Sequence, residues 1–596
     1  MRKRIKLITF NLGNLSSKAI KKIRKRNTYL IGNWCKETKN LYQEKTDTKI
    51  LNFYNWDKLK EKTEDIKYML SVYNKLLVKL TKNLNSIHKT KYNKKYWEFL
   101  INRWLMAFIV DIYSKWRIAD YLLQKYDVKE FLYQDLKDKM FLPENTIHHN
   151  LIHKTQSSFA HSHWCLRKIF KYRVENLNEK KIKISNLSKI KSDANKAISK
   201  YKLKMYKTNI FNLSLFKKIF SYELSFDKKI YFYLKFKNFF INLPYKNEAI
   251  SFNKNFNNKN LRKDFFNLFK NSKKGFEDFL IKHMYHSMPK IFLENYGALH
   301  NCYLTLNWPK QPEFILTTYG HYFDEIFKIY CANKIIKKTK LFIFQHGDGG
   351  YLADNDFYNT GRDKKLCNKY FVWGKNPKKG CKAFFYTKKY LDQTPTFYSS
   401  INGKVLLIVY GFRALPFRPP HGFIDDYEKN KIITFNTVDF VNSLKKNIKN
   451  KVDIKLLENS VDNVVKKSIK YKLKKYKIYD EKRSLLNNLK NYNLTIHFYL
   501  STPFFETILF NKPTILIFNK KIQYNYDKNF YLFMKRFYEN KIAFTSIREA
   551  VLFVNENFNN LESWWNNKKV QKIREDFCET YCRNFKTNSD FKEIFK

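Results

Sequence analysis

The chain has 596 residues, 44% of them hydrophobic, with a formal net charge of +62 from 115 Lys+Arg against 53 Asp+Glu. That length allows roughly two to four domains around a large core. The basic excess is mostly lysine and runs along the whole sequence, so solvated lysine faces explain it better than a nucleic-acid footprint, which needs a clustered patch. No specific nucleic-acid partner is expected, whereas attraction to an anionic membrane surface stays open. Eight cysteines form no CxxC pair and no regular framework, which excludes a disulfide scaffold and fits a reducing compartment. The basic start MRKRIKLITF lacks the apolar run of a signal peptide. The most apolar segment, Trp104–Val110, stops at Asp111, so no membrane-spanning helix is expected.

In chain order, Ile5–Phe10 reads as a strand, residues 11–17 as a turn before a basic helix, and Tyr29–Ile31 as a second strand. This opening implies an α/β unit. From Trp56 to Lys125 the pattern becomes helical, with Tyr96, Trp97, Leu100, Trp104, Phe108, Ile112 and Trp116 at helical spacing. Such a stripe is read as core. Residues 130–300 mix lysine- and asparagine-rich helices with short aromatic runs such as Ile230–Phe236. They also hold His148, His149, His153, His161, His163 and Cys165, whose spacing matches no standard zinc pattern. No metal is therefore expected.

Phe314–Thr317, Leu341–Phe344 and Tyr370–Val372 read as strands, with a helix at about 323–337 between the first two. The segment LFIFQHGDGG, Leu341–Gly350, is the most informative. Four apolar residues make a buried strand, and His346 and Asp348 follow at its C-terminal end, where open α/β sheets bind ligands. Three of the chain's 14 glycines, Gly347, Gly349 and Gly350, fall here and permit close backbone approach. The plain alternative is a strand-to-loop turn with an exposed histidine.

A second α/β unit begins after a linker at 386–402. Its strand Val405–Val409 ends in Tyr410-Gly411-Phe412-Arg413. Farther on, the strand Leu494–Leu500 leads into Ser501-Thr502-Pro503, a helix start whose free N–H groups suit a phosphate. Glu506, one turn on, can accept hydrogen bonds from ribose hydroxyls or simply favour the helix dipole. The helix ends at Asn511-Lys512-Pro513, before the strand Thr514–Phe518.

Several segments together resemble a family of surface-polysaccharide transferases associated with O-antigen and related lipopolysaccharide loci. IGNWCKETKN resembles its GEWC segment. YNWDKLK and LNSIHKTKYNKKYWEFLINRWL, with Asn85, His88, Tyr96, Trp97 and Trp104, resemble its helical block. NWPKQPEFILTTYGHYFDEIFK and LFIFQHGDGG resemble its centre, where QHGG is the hallmark. FYLSTPFFETILFNKPTILIFN resembles its TTFLETLA helix, and NLESWWNNKKVQKIREDFCETYCR, with Trp564, Trp565, Phe577 and Arg583, its closing helix. Asp348 stands where that family usually has Gly, which puts the local geometry in question.

The resemblance implies a GT-B-like fold: two facing Rossmann-like α/β domains, residues 1–395 on the acceptor side and 396–596 on the donor side. A helical insertion at about 50–300 and a closing helix complete it. It implies a cytoplasmic glycosyltransferase, peripheral at the inner face of the membrane. The enzyme would move a sugar from a nucleotide-activated donor to an envelope glycan or lipid-linked acceptor, with neither metal nor cofactor. Ser501, Thr502, Gly347, Gly349 and Arg413 would hold the donor phosphates and Glu506 the ribose. His346 would be the general base, or else a phosphate ligand with Asp348 as base. The alternatives are a CDP-alditol-type phosphotransferase and a non-catalytic basic protein that binds nucleic acid or the envelope.

Overall fold

The computed structural model describes the chain apart from residues 1–2, 9–26, 32–48, 52–55, 57, 134–135, 153–156, 178, 180–181, 187–217, 223, 225–239, 244–258, 270–272, 348–359, 376–378, 386–402, 412–425, 459–463, 480–484, 523–525, 585–593 and 595–596. Among the described residues the chain is α/β, with three wholly parallel sheets. The first comprises β1 (Arg4–Ile8), β2 (Thr28–Ile31), β3 (Ile50–Leu51), β4 (Asp127–Tyr133) and β5 (Lys183–Asn186) in the order β3-β2-β1-β4-β5. The second comprises β6 (Ile219–Tyr222), β7 (Phe240–Leu243), β8 (Phe314–Thr317), β9 (Lys340–Phe344), β10 (Lys369–Val372) and β11 (Lys382–Ala383), ordered β11-β10-β9-β8-β6-β7. The third comprises β12 (Lys404–Gly411), β13 (Val452–Glu458), β14 (Lys477–Tyr479), β15 (Tyr492–His497), β16 (Thr514–Ile517) and β17 (Ala543–Phe544), ordered β14-β13-β12-β15-β16-β17.

All three orders reverse direction once, as in doubly wound folds. The first and third sheets switch between their first and fourth strands, as dinucleotide-binding sheets do. The second switches between β6 and β8, as flavodoxin-like sheets do. The expected pair of Rossmann-like units corresponds to the second and third sheets. The N-terminal half differs from the sequence reading, which joined β1 and β2 to β8, β9 and β10 in one domain. The structure sorts them into separate sheets, and the expected helical insertion supplies β4 to β7. Among them, β4 and β5 carry partial or irregular burial, which leaves no clear apolar run to read in the sequence. Ile230–Phe236 lies outside the described residues.

Two long helices, α1 (Leu59–His88) and α2 (Lys94–Lys125), cross from β3 to β4. The aromatic stripe of α2 is core: Trp97, Trp104 and Phe108 are at most 1% exposed. The residues that carried the family resemblance hold this block together. Asn85 Oδ1 accepts from Trp97 Nε1 (2.8 Å), from the Tyr92 backbone (3.1 Å) and from Thr90 Oγ1 (2.8 Å), which fixes the α1–α2 turn. Tyr96 and Tyr296 hydroxyls meet at 2.7 Å, and His88 bonds the Phe292 carbonyl at 3.1 Å. One contiguous apolar cluster joins residues of all three sheets, including Leu7, Ile343 and Ile408. No helix of the described residues is long and apolar enough to cross a membrane.

Five further helices shape the sites: α3 (Ser157–Asn176), α4 (Phe276–Met284), α5 (Glu325–Ile335), α6 (Thr502–Leu509) and α7 (Lys568–Tyr581). The last of them, α7, ties the second sheet to the third. Its Phe577 packs on Phe504 and Phe505 of α6, with ring centroids at 6.0 and 5.6 Å. At the same C-terminal end, Arg583 N–H donates to the Trp373 carbonyl (2.7 Å) and Lys375 N–H to that of Glu579 (2.9 Å). Arg583 Nε reaches the Phe384 carbonyl at 2.7 Å. Between these bonds the backbones nearly touch. A Cβ on Gly374 would lie 1.7 Å from the Thr580 carbonyl oxygen. Gly374→Ala is therefore expected to destabilise the protein by about 1–3 kcal/mol or more. Gly297→Ala, with nothing within 4 Å of its Cβ, should be neutral or stabilising by a few tenths of a kcal/mol. Urea midpoints measure both, and an unchanged midpoint for Gly374→Ala would show that α7 docks elsewhere.

Candidate functional site

The C-terminal ends of the second and third sheets meet through two short segments. The first leaves β9. Gln345, 2% exposed, extends the β9–β10 pairing by one bond, donating its N–H to the Phe371 carbonyl at 2.8 Å. Its side chain then holds the turn: Oε1 accepts from Trp373 N–H (2.9 Å) and Nε2 donates to the Gly347 carbonyl (2.9 Å). The buried amide thus fixes the loop and presents His346 outward. His346 is exposed, and its ring lies 4.3 Å from that of Tyr319, which follows β8.

The second segment leaves β15. Ser501 occupies the N-cap of α6 with extended backbone, and Pro503 stands in the first turn. The Ser501 carbonyl accepts from Phe504 N–H at 2.8 Å, but its hydroxyl makes no capping bond. The helix thus starts where the sequence reading puts it, with Ser501 at the N-cap and Pro503 in the first turn, and without a hydroxyl cap. Glu506 is half-buried one turn further on. The helix closes at Asn511, whose positive φ of 56° lets Lys512 N–H reach the Thr507 carbonyl at 3.0 Å.

The segments converge at Gly347. A Cβ there would lie 3.3 Å from Thr502 Oγ1. His346, Gly347, Ser501, Thr502 and Glu506 are therefore brought into two touching segments, one from each sheet. Asp348, Gly349 and Arg413 lie outside the described residues. Sequence reasoning missed two contributors. Gln345 stood inside the quoted motif, but its staple role needs β10 beside it. Tyr319 carries no local signal. A third feature, the stacked Tyr410–Tyr499 pair at 5.0 Å, marks the switch point between β12 and β15.

Beneath α6, His497 is fully buried and bonded to Thr507 Oγ1 at 3.0 Å. Thr507 Oγ1 donates to the Phe504 carbonyl (3.0 Å), so the imidazole is the donor to it. Burial lowers the His497 pKa to about 3. The unfolded chain takes up this proton near pH 6.5, the folded one only near 3. Stability is hence unaffected by this group above about pH 6.5. It falls as pH drops below that, by at most roughly 1.4 kcal/mol per unit. Urea unfolding between pH 7.5 and 5 should show a shallower decline for His497→Gln than for the native chain. The contact at Gly347 predicts that a Gly347→Cys/Thr502→Cys variant forms a disulfide on mild oxidation, since such bonds need this proximity. Peptide mass spectrometry reads it, and no cross-link would place the two loops apart in solution.

No curated protein matches the chain. Among solved structures, TarM matches with 12% identity and a TM-score of 0.29, over 47% of this chain and 54% of TarM. The UDP-GlcNAc 2-epimerase from Neisseria meningitidis bound to UDP-GlcNAc matches with 10% identity and a TM-score of 0.33, over 61% of this chain and 99% of its own. A mutant of Thermobaculum terrenum O-GlcNAc transferase matches with 9% identity and a TM-score of 0.29, over 91% of this chain and 98% of its own. Likenesses this distant carry no functional argument. The family model is different in kind, because residues 12–592 match it: the chain belongs to the family described as LIC12162 family transferase.

Proposed function

We propose that this transferase is a glycosyltransferase that uses a nucleotide-activated sugar, with the donor on the third sheet and the acceptor approaching from the second. The observation that carries this reading is the contact between the Gly347 loop and Thr502. It joins an exposed histidine to a helix N-terminus at the C-terminal ends of two doubly wound sheets. N–H groups at such a helix start stabilise a phosphate and the negative charge that develops on a leaving diphosphate. In this reading Ser501 and Thr502 hold the phosphates, with Gly347 admitting them closely and Glu506 accepting from the ribose. Gly349 and Arg413 are assigned to the same phosphates on sequence grounds.

His346 is the general base in this mechanism. Its imidazole takes the proton of the acceptor hydroxyl as the hydroxyl oxygen attacks the anomeric carbon and the bond to the nucleotide phosphate breaks. Its exposure suits a bulky glycan or lipid-linked acceptor, and Asp348 is the base if His346 instead contacts phosphate. The basic surface fits work beside an anionic membrane, on an envelope polysaccharide or lipopolysaccharide acceptor at the cytoplasmic face. No metal is required for this chemistry when a helix terminus and basic side chains stabilise the leaving group.

The first experiment is a thermal-shift screen against CMP, CDP, UDP, GDP and dTDP, since a ligand of the native state raises stability by mass action. With that nucleotide in hand, Glu506→Ala should weaken its binding about ten- to a hundredfold. His346→Ala should leave binding nearly intact and lower turnover by about 10²–10⁴. Calorimetry and a transfer assay separate the two effects. Loss of nucleotide binding in His346→Ala would make His346 a phosphate ligand. Release of CMP with phosphorus transferred would make the enzyme a phosphotransferase. Indifference to both changes, with activity abolished by salt, would favour a charge-driven binder.

A further inference from the structure

A second chemical cluster lies in the helical part of the molecule, among α2, α3 and α4. Asp111 projects from the middle of α2. His161 and Cys165 stand four residues apart on α3 and so share one face. His283 comes from the last turn of α4. Their exposures are 3%, 4%, 0% and 3%. Cys165 Sγ lies 3.5 Å from His161 Nε2 and 3.6 Å from His283 Nε2. His161 Nδ1 lies 3.8 Å from Asp111 Oδ2 and 3.8 Å from Cys165 Sγ. One ligand atom each from Asp111, His161 and Cys165 falls within a 4.8 Å group.

Two ligands on one tetrahedral zinc, with bonds of about 2.3 Å to sulfur and about 2.0–2.1 Å to nitrogen or oxygen, stand roughly 3.4–3.6 Å apart. With His161 coordinating through Nδ1, its separations from Cys165 Sγ and from Asp111 Oδ2, both 3.8 Å, exceed that spacing by a few tenths of an ångström, which small side-chain rotations close, while the 3.6 Å between Cys165 Sγ and His283 Nε2 matches it. We propose that Asp111, His161 and Cys165 form a structural site for zinc or a similar borderline divalent cation, with His283, beside Cys165, swinging in as the fourth ligand. The donor set of two imidazoles, one thiol and one carboxylate favours zinc over the oxygen-seeking magnesium and calcium. Burial of all four groups away from solvent marks a structural site and leaves no position for substrate. Lys115, bonded to Asp111 Oδ1, orients the carboxylate so that Oδ2 faces His161. It plays the outer role that supports metal ligands. Binding converts the Cys165 thiol to thiolate and releases its proton to solvent. Thiolate and carboxylate then balance the two charges of the ion, and Lys115 stays paired through the outer oxygen.

The sequence reading set a metal aside because its six residues from His148 to Cys165 fit no spacing. Two of those residues join the site, and the other two ligands arrive from α2 and α4. His163 does not join; its ring stacks on Phe131 at 6.0 Å. His148 Nδ1 accepts from Glu144 N–H at 3.1 Å.

The test uses the full chain, purified without a polyhistidine tag from zinc-supplemented cells, with metal content read by mass spectrometry. About one zinc per chain is expected. Cys165→Ser and His283→Gln should each lower zinc affinity by about tenfold or more, while His163→Gln keeps the metal. Should those variants fold poorly, native protein from cobalt-grown cells should show the intense visible absorption of tetrahedral cobalt bound to thiolate. The proposal is overturned if the native chain carries no stoichiometric metal and added zinc leaves its melting temperature unchanged. Full metal retention in both ligand variants would overturn it equally. Either result would make the cluster a hydrogen-bonded thiol–imidazole network.

Discussion

The arrangement of the second and third sheets depends on one close backbone contact, that of Gly374 with the Thr580 carbonyl. Helix α7 belongs by sequence to the third sheet's half of the chain, and its phenylalanine face packs on α6. Its last turn and the residues after it are bonded to the end of β10 in the second sheet. With no side chain at Gly374 the two backbones come close enough for bonds on either side of it, from Lys375 to Glu579 and from Arg583 to Trp373. The link is short, directional and shielded by the aromatic cluster around Phe577. It resists sliding of one sheet over the other more than apolar packing alone would, because packing is non-directional.

The same link reaches the candidate site within a few residues. Trp373 gives its carbonyl to Arg583 and its N–H to Gln345 Oε1. Gln345 in turn holds the Gly347 carbonyl, and Gly347 faces Thr502. A loop from one sheet and a helix start from the other are thus joined by a closed circuit: α7 to β10, β10 to Gln345, Gln345 to Gly347, Gly347 to α6, and α6 back to α7. A buried amide with both ends satisfied holds such a loop well, since an unsatisfied buried polar group costs about 1–3 kcal/mol. The circuit holds the Gly347 loop against the helix start, and in the proposed reaction preorganisation of that kind lowers the ordering required.

The helical part serves a different purpose. Asn85, Tyr96 and Trp97 brace the α1–α2 turn, and the buried Tyr96–Tyr296 and His88–Phe292 contacts attach it to residues just before β8. Glu98 of α2 pairs with Arg362, which precedes β10. The long helices are therefore fastened to residues between β7 and β10. In that block the residues that carried the resemblance are packed, whereas His346 is exposed and Glu506 half-buried.

Strands whose burial is continuous were legible from the chain alone. Phe314–Thr317, Leu341–Phe344 and Val405–Val409 are apolar runs, and four to five buried residues bounded by polar turns leave little choice of structure. The core role of the α2 stripe was equally legible, because helical periodicity is local, and turn and capping chemistry located the QHG loop and the Ser501 helix start. Sheet membership was settled only in three dimensions. β1 alternates charged and apolar residues and β8 is a buried apolar run, yet which neighbours each pairs with depends on long crossovers that no local pattern encodes. The roles of Gln345, Tyr319 and Gly374 were invisible in the sequence, since each acts on a residue distant in the chain. The grouping of Asp111, His161, Cys165 and His283 arose in the same way: helix periodicity places two of them on one face, and only the packing of three helices brings the set together.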